Sequence, residues 1–254
     1  MQLVMLGVGS SAGTPVIGCH CKVCTSQNFK NNRTRCSSAI IFDSGEIILI
    51  DTGPDLRSQA LREHISRVDA VLYTHTHADH LHGIDDLRAF CQKNRRQIPL
   101  FGNHYAVQHI TDKFGYTLRE PSDYWDLPVL SIQTVAAPFE LFGHTVTPIP
   151  VKHGRSNILG YRIGNLAYIT DVSEIPDDSM ALLAGLDVLL LDCLRLQPHP
   201  THINLEQNLA YISRINAKQN YLIHMTHELD FDDLTDMLPA NVAVGFDGLR
   251  LTFN

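Results

Sequence analysis

The sequence is short of positive charge. Its 254 residues include 20 lysines and arginines against 27 aspartates and glutamates, which gives a formal net charge of −7. A chain with this balance has no general basic field that would attract nucleic acid or an anionic membrane. We therefore expect neither nucleic acid nor a membrane as a partner.

The sequence also lacks long apolar runs and a recognisable leader. Its first residues, MQLVMLGVGSSAGT, have no charged segment and reach glycine too early for a secretion signal. No apolar run approaches the length that spans a bilayer, so we expect a cytoplasmic protein.

Repeats, low-complexity tracts and long glycine and serine linkers are absent as well, so no linker in the sequence marks a boundary between domains. Apolar residues make up 44% of the sequence, enough to bury a substantial core. We therefore predict a single domain over residues 1–254.

Only six cysteines are present, and three of them lie in the short segment GCHCKVC. Cys19, Cys21 and Cys24 form this cluster, near residues 18–25. In a reducing compartment such a cluster is more often a metal clip than a disulfide framework. Three thiolates at this spacing suit tetrahedral zinc if a fourth ligand comes from elsewhere, and a redox cysteine group is the alternative.

The sequence is rich in short β-branched runs with helical segments between them. Runs such as QLVMLGV, AIIFDSGEIILID, LDVLLLD and NYLIHM predict strands. The helical segment NLEQNLAYISRIN begins with Asn204 as an N-cap and has Gln207 at the capping-box position. Many strands interleaved with helices predict an α/β fold in which sheets pack on each other with helices outside.

Six predicted strands end in a side chain that can bind metal. These residues are Asp51, His75, His153, Asp171, Asp192 and His224. One His or Asp after a strand is usually a solvated turn residue, but six of them indicate a common site.

The run THTHADH adds further candidate ligands to this site. His75 and His77 lie two positions apart and point to one side of an extended chain, so both can hold one ion. Asp79 and His80 follow at the turn into a helix and project at a different angle, which allows a second ion. Two metals about 3.5–4 Å apart can stabilise both the attacking and the leaving oxygen of a displacement, with Asp171 as the bridging carboxylate.

The order of these motifs resembles the metallo-β-lactamase superfamily. THTHADH is similar to the superfamily signature T-x-H-x-H-x-D-H, and the DTG at Asp51 and the remaining ligands have the same order along the chain. The resemblance implies an αββα sandwich with a dinuclear metal site at one edge. It implies two ligand sets, His75, His77, His153 and Asp171 for one metal and Asp79, His80, Asp171 and His224 for the other. It also places Asp51 behind the ligands and counts Asp79 among the catalytic residues.

A narrower resemblance is to the PhnP family, the phosphoribosyl cyclic phosphodiesterases of bacterial phosphonate catabolism. The segments GCHCKVC, TRCSS, HMTH and VGFDGL carry this resemblance. It implies that His227 completes a structural zinc site with Cys19, Cys21 and Cys24. It also implies that His202, in PTHINLEQ, stands beside the scissile phosphate and protonates the leaving oxygen. The alternative for His202 is an ordinary loop histidine.

Together these resemblances imply a dinuclear metal-dependent phosphodiesterase. The implied cofactors are two divalent ions in the active site, manganese or zinc, and one structural zinc. The implied substrate is a small phosphodiester, foremost a cyclic sugar phosphate such as phosphoribosyl 1,2-cyclic phosphate, and the implied assembly is a homodimer. Three alternatives stay open, namely an RNA 3′-end processing nuclease, a glyoxalase II-like thioesterase and a PqqB-like carrier that does not hydrolyse its ligand.

Overall fold

The structure, a computed structural model, describes residues 1–253. The strands are β1 (Gln2–Gly7), β2 (Ser37–Ile41), β3 (Ile47–Ile50), β4 (Ala70–Leu72), β5 (Ile98–Gly102), β6 (Leu130–Thr134), β7 (Phe139–Leu141), β8 (His144–His153), β9 (Ser156–Ile163), β10 (Leu166–Ile169), β11 (Val188–Asp192), β12 (Gln219–Ile223), β13 (Val242–Val244) and β14 (Arg250–Thr252). The α-helices are α1 (Leu56–Arg62), α2 (Ala78–Leu81), α3 (Leu87–Asn94), α4 (His104–Phe114), α5 (Asp177–Ala181), α6 (Leu205–Ile215) and α7 (Phe231–Met237). Short 3-10 helices cover Phe29–Asn31, Ile84–Asp86 and Gly115–Thr117. Within residues 1–253, none of the helices combines the length and the apolar character needed to cross a membrane.

The strands form two seven-stranded mixed sheets. The first has the spatial order β14-β1-β2-β3-β4-β5-β6, and the second has the order β13-β12-β11-β10-β9-β8-β7. In the first sheet β3 to β6 run parallel, and in the second β10 to β13 run parallel. The other neighbouring strands pair antiparallel.

Successive residues of the first sheet face two different apolar layers. In β1, Leu3 and Met5 lie in the core between the sheets, whereas Val4 and Leu6 lie in a second cluster with residues of α1 and α3. Side chains alternate between the two faces of a strand, so a sheet that is covered on both faces needs apolar residues at consecutive positions. The unbroken apolar runs of the sequence have this origin. Two mixed sheets flanked by helices confirm the predicted αββα sandwich.

Helix α6 begins as the sequence predicts. The Asn204 side chain accepts a hydrogen bond from the Gln207 backbone N–H at 3.0 Å, and the Gln207 side chain accepts one from the Asn204 backbone N–H at 3.1 Å. This reciprocal capping box satisfies two N–H groups at the start of the helix. It also fixes the end of the loop that carries His202.

Candidate metal centre

The strand-end residues converge at one edge of the sandwich, and three of them have an unusual backbone. Asp51, Asp171 and His224 have positive φ angles of 63°, 54° and 60°. Residues other than glycine adopt this left-handed conformation rarely, and backbone strain of this kind concentrates at functional sites. A left-handed residue turns the chain sharply where the strand ends. Each of these side chains therefore points toward the same group of histidines.

One group of possible metal ligands contains His75, His77, His153 and Asp171, and their ligand atoms lie within 4.8 Å of one another. His75 Nε2 lies 3.8 Å from Asp171 Oδ2. The ring centroids of His77 and His153 are 5.1 Å apart. His77 is exposed and the other three are buried, so this group opens to solvent beside His77.

A second group contains Asp79, His80, Asp171 and His224, all of them buried. His80 Nε2 lies 3.1 Å from Asp171 Oδ1 and 3.3 Å from Asp79 Oδ2. His224 Nε2 lies 3.3 Å from Asp171 Oδ2. Asp79 and His80 reach this group because α2 begins just after His77 and turns them away from it. Asp171 belongs to both groups, as a bridging ligand would, and the structure brings together all seven predicted active-site ligands.

The nitrogens that face the centre of these groups are unpartnered. Among the residues that the structure describes, Nε2 of His75, His80 and His224 is buried and makes no hydrogen bond. Such an atom is costly unless a partner satisfies it, and a metal ion can do so. Imidazole and carboxylate ligands suit divalent transition metals such as zinc and manganese. The residues therefore fit the divalent metal binding that the fold implies.

The opposite ring nitrogens of His80 and His153 are held by the protein. His80 Nδ1 lies 2.7 Å from Asp51 Oδ2, and His153 Nδ1 lies 2.8 Å from the Thr201 carbonyl oxygen. An Nδ1–H that donates to such an oxygen fixes the ring and leaves Nε2 for a metal. Asp51 also accepts hydrogen bonds from the backbone N–H and the hydroxyl of Thr74. It lies behind His80, where the resemblance places it.

Burial and charge set the protonation states in the centre. Burial lowers the pKa of His75 well below its usual value. Burial opposes ionisation of Asp171, but the positive charges of His224 and His80 hold the pKa of this carboxyl well below its usual range. Burial would lower the pKa of His80 as well, yet the Asp171 carboxylate raises it well above its usual value. Since a ligating imidazole must be deprotonated, metal binding would release a proton from His80.

Asp192 connects His202 to the centre, a role that sequence reasoning did not assign. His202 Nδ1 lies 2.9 Å from Asp192 Oδ2, and His224 Nδ1 lies 3.6 Å from Asp192 Oδ1. His202 Nε2 lies 3.9 Å from Asp171 Oδ2, so the free ring nitrogen faces the ligand groups. The only signal in the sequence is that Asp192 ends a strand, as the ligands do.

The predicted cysteine clip is also brought together. The Sγ atoms of Cys19, Cys21 and Cys24 lie 3.3, 3.4 and 3.4 Å from His227 Nδ1. The Cys24 backbone N–H, and then His227, lower the pKa of Cys21 to about 6, so its thiolate forms at neutral pH. Burial raises the pKa of Cys24 to about 11, and zinc binding would release that proton. Three sulfurs and one imidazole nitrogen are a tetrahedral zinc set.

Replacing Cys21 with Ser should remove about one zinc per chain and lower the melting temperature, because the clip then retains only three strong ligands. Elemental analysis and thermal unfolding measure the two effects. His20→Ala is the matched control, since His20 lies in the same loop, is exposed and does not belong to the cluster. Unchanged zinc in the Cys21 variant would mean that the cluster has a redox role or none.

A buried arginine holds the segment that carries His227. Arg33 is 1% exposed, and its Nη1 donates to the Thr226 carbonyl at 3.0 Å while Nη2 donates to the Leu229 carbonyl at 2.7 Å. Nη2 also lies 3.2 Å from the Asn31 side-chain oxygen. Burial lowers the pKa of Arg33 to about 10, which leaves it charged at neutral pH. Sequence reasoning missed this residue because arginines are mostly exposed.

Arg33→Met should lower the free energy of unfolding by roughly 2–5 kcal/mol, because it keeps most of the volume but leaves the Thr226 carbonyl and the buried Leu229 carbonyl without their donor. Urea unfolding at saturating zinc measures the change. Arg214→Met is the control, since the Arg214 side chain is 55% exposed. A change in the free energy of unfolding below about 0.5 kcal/mol is usual for surface positions. Such a small change in the Arg33 variant would contradict the role of Arg33 in holding the segment that carries His227.

Comparisons with known proteins show the family and the fold of the chain. The model of the Beta-lactamase superfamily domain matches residues 46–225. The crystal structure of a diphosphatase from the PhnP family is 40% identical, with a TM-score of 0.92, and the match covers 100% of this chain and 98% of that chain. Zinc-bound PqqB from Methylobacterium extorquens is 22% identical, with a TM-score of 0.79 and 100% coverage of both chains, and shares the fold.

A curated octanoyltransferase from Porphyromonas gingivalis is 38% identical over 254 residues, which cover 98% of this chain and 51% of that protein. The chain thus spans about half the length of this relative. The family model covers most of the chain, and the PhnP-family structure matches it from end to end. The chain therefore belongs to the metallo-β-lactamase superfamily and, within it, to the PhnP family.

Proposed function

We propose that this protein is a dinuclear metal-dependent phosphodiesterase that hydrolyses a small phosphodiester, foremost a cyclic sugar phosphate. The fold and the similarity to a diphosphatase support metal-dependent hydrolysis. The observation that carries the finer proposal is the position of His202. This imidazole is fixed by Asp192 and turns its free nitrogen toward two ligand groups that share Asp171.

The two ligand groups would hold the active-site metals, and Asp171 would belong to both. When bound, two divalent ions would lower the pKa of water and stabilise charge on the phosphoryl oxygens. The carboxylates and the unpartnered Nε2 atoms mark where the two cations would bind, and these cations would neutralise an anionic substrate. The opening beside the exposed His77 leaves a path for a small substrate.

His202 is the residue suited to protonate the leaving oxygen. Its Nδ1–H donates to Asp192 Oδ2, which fixes the ring and leaves Nε2 turned toward the ligand groups. A proton carried on Nε2 is the one that a departing alkoxide needs. A ribose hydroxyl is a poor leaving group without this proton, so a sugar phosphodiester requires such a donor.

Hydrolysis of a diphosphate bond is a second candidate, because the 40% identical PhnP-family structure is that of a diphosphatase. Both reactions break a P–O bond at a phosphorus that carries negative oxygens. They differ in the leaving group, which is an alcohol in a diester and a phosphate in a diphosphate. The same ligand groups and the same proton donor serve either reaction.

The test is the initial rate of manganese-loaded protein on three substrates, ribose 1,2-cyclic phosphate, a linear aryl phosphodiester and a nucleoside diphosphate. A strong preference for the ring supports the proposal. Turnover of the nucleoside diphosphate alone favours the second candidate, and turnover of the aryl diester alone moves the substrate toward other linear diesters. No turnover with both metals present would overturn phosphodiester hydrolysis in favour of a thioesterase or a carrier.

A further inference from the structure

A groove of about 640 Å³ lies between α1 and α3, apart from the metal centre. Within residues 1–253, none of the predicted metal ligands lines it. Its volume is in the range of pockets that bind small organic molecules. Helix α1 has seven residues and α3 has eight, so the groove is about 10–12 Å long at a rise of about 1.5 Å per residue. That length suits a small molecule and is short for a helix or strand of a partner protein.

The floor of the groove is apolar. The residues that form it belong to the buried cluster beneath α1 and α3, namely Leu56, Ala60, Ile65 and Phe90. Leu61 stands at the wall and is 60% exposed. A ligand that covers this side chain and the floor removes apolar surface from water, which favours binding. The groove can therefore take the apolar part of a ligand, such as a run of methylene groups.

The two ends of the groove differ in charge. Because β3, β4 and β5 run parallel, the helices that lead into β4 and β5 run in the same direction, and their first residues lie at the same end. At that end Arg57 and Arg88 act on Asp86, and Asp85 lies beside them, so the charges balance. Lys93 lies at the other end, where no acid lines the groove, and within residues 1–253 it forms no ion pair. This end therefore attracts an anion.

A histidine with an unusual backbone lies at the same end as Lys93. His64 directly follows the cap of α1, lines the groove and has a φ of 57°. The Ile65 N–H donates to the Ala60 carbonyl at 2.9 Å, which closes the helix around this residue. Glycine is the usual residue here, because it adopts the left-handed conformation without strain. The strained position holds an imidazole at the groove instead, and an imidazole N–H can donate to a carboxylate oxygen.

We propose that this groove binds a carboxylate with an unbranched apolar tail, such as a medium-chain fatty acid. Lys93 and His64 hold the carboxylate, and the tail lies on the apolar floor between the two helices. A small inorganic anion would leave that floor exposed to water, and a cationic amphiphile would be repelled by Lys93. The site uses no residue of the metal centre, so it stands or falls independently of the proposed function.

Calorimetric titration of decanoate into the metal-loaded protein tests the site. Decanoate should bind at one site per chain, whereas decyltrimethylammonium, with the same tail and the opposite charge, should bind at least roughly 10-fold more weakly. Butyrate, with the same carboxylate and a short tail, reports any carboxylate binding at the metals and should also be weaker. Lys93→Gln should raise the Kd of decanoate roughly 3- to 10-fold, between the effects of an exposed ion pair and a charge-assisted hydrogen bond. Lys113→Gln is the matched control, since Lys113 is exposed on α4 and does not line the groove.

Ala89→Trp tests the apolar part of the site. Ala89 is exposed on α3 and lines the groove, so an indole there should fill the space and raise the Kd at least roughly 10-fold without unfolding the protein. Ala181→Trp, at an exposed position of α5, should leave the Kd unchanged, and the melting temperatures show that both variants fold. Equal binding of decanoate and decyltrimethylammonium, or an unchanged Kd in the Ala89 and Lys93 variants, would overturn the proposal. A dimer in sedimentation that Ala89→Trp dissociates would mean that a second copy of the chain covers the groove, and the carboxylate site would be wrong.

Discussion

Asp171→Ala should reduce the active-site metal content from about two ions per chain to near zero after dialysis against a weak chelator. Asp171 is the one residue shared by both ligand groups. The first group consists of three histidines and Asp171, so the loss of this carboxylate leaves the group without negative charge. Hydrolysis should fall to the background rate, because both halves of the centre are emptied together.

Elemental analysis together with the rate on the preferred substrate measures this effect. Zinc at the cysteine clip should remain, since none of the four clip residues belongs to either active-site ligand group. Its presence would show that the variant is folded. Asp177→Ala is the matched control, because the Asp177 side chain is 98% exposed at the start of α5. If the Asp171 variant still bound two active-site ions tightly, the assignment of Asp171 as the shared ligand would be wrong.

His202→Ala should have the second largest effect, a loss in kcat of roughly 10²- to 10⁴-fold on a sugar phosphodiester, with metal content unchanged. The loss should fall below about 10-fold on a nitrophenyl diester, because that leaving group departs without a proton. The dependence on the leaving group is the signature of an acid catalyst, which a residue that only shapes the site would not produce.

Rates on the two diesters, each with the metal content measured in parallel, test this expectation. His82→Ala is the control, since His82 is an exposed histidine near the centre that belongs to neither ligand group. An equal loss on both diesters would make His202 a structural residue, and a full rate on both would make it an ordinary loop histidine.

The grouping of the candidate ligands could be predicted from the sequence because local spacing carries part of its signal. His75, His77, Asp79 and His80 are close along the chain, and a strand that turns into a helix brings them into one place. The apolar runs likewise indicate sheets that are buried on both faces. These patterns need no knowledge of which strands are neighbours.

The supporting residues could not be predicted because their roles depend on strand order. Asp192 reaches both His202 and His224 only because β11 lies between β10 and β12 in the second sheet. Arg33 is 193 positions from Thr226, and nothing near it in the sequence indicates that its side chain is buried.

The two candidate metal sites of this protein are joined by a very short piece of backbone. His224 and His227 lie three positions apart, and Met225 between them is held by hydrogen bonds from Ser10 N–H to its carbonyl and from its own N–H to the Val8 carbonyl. An ion that orders either histidine therefore lowers the entropic cost of ordering the other. By thermodynamic reciprocity, an ion at the clip would raise the affinity of the active-site ligand groups by the same factor by which their ions would raise its own. A clip emptied of its ion should thus weaken metal binding at the active site, although the clip contributes no ligand to it.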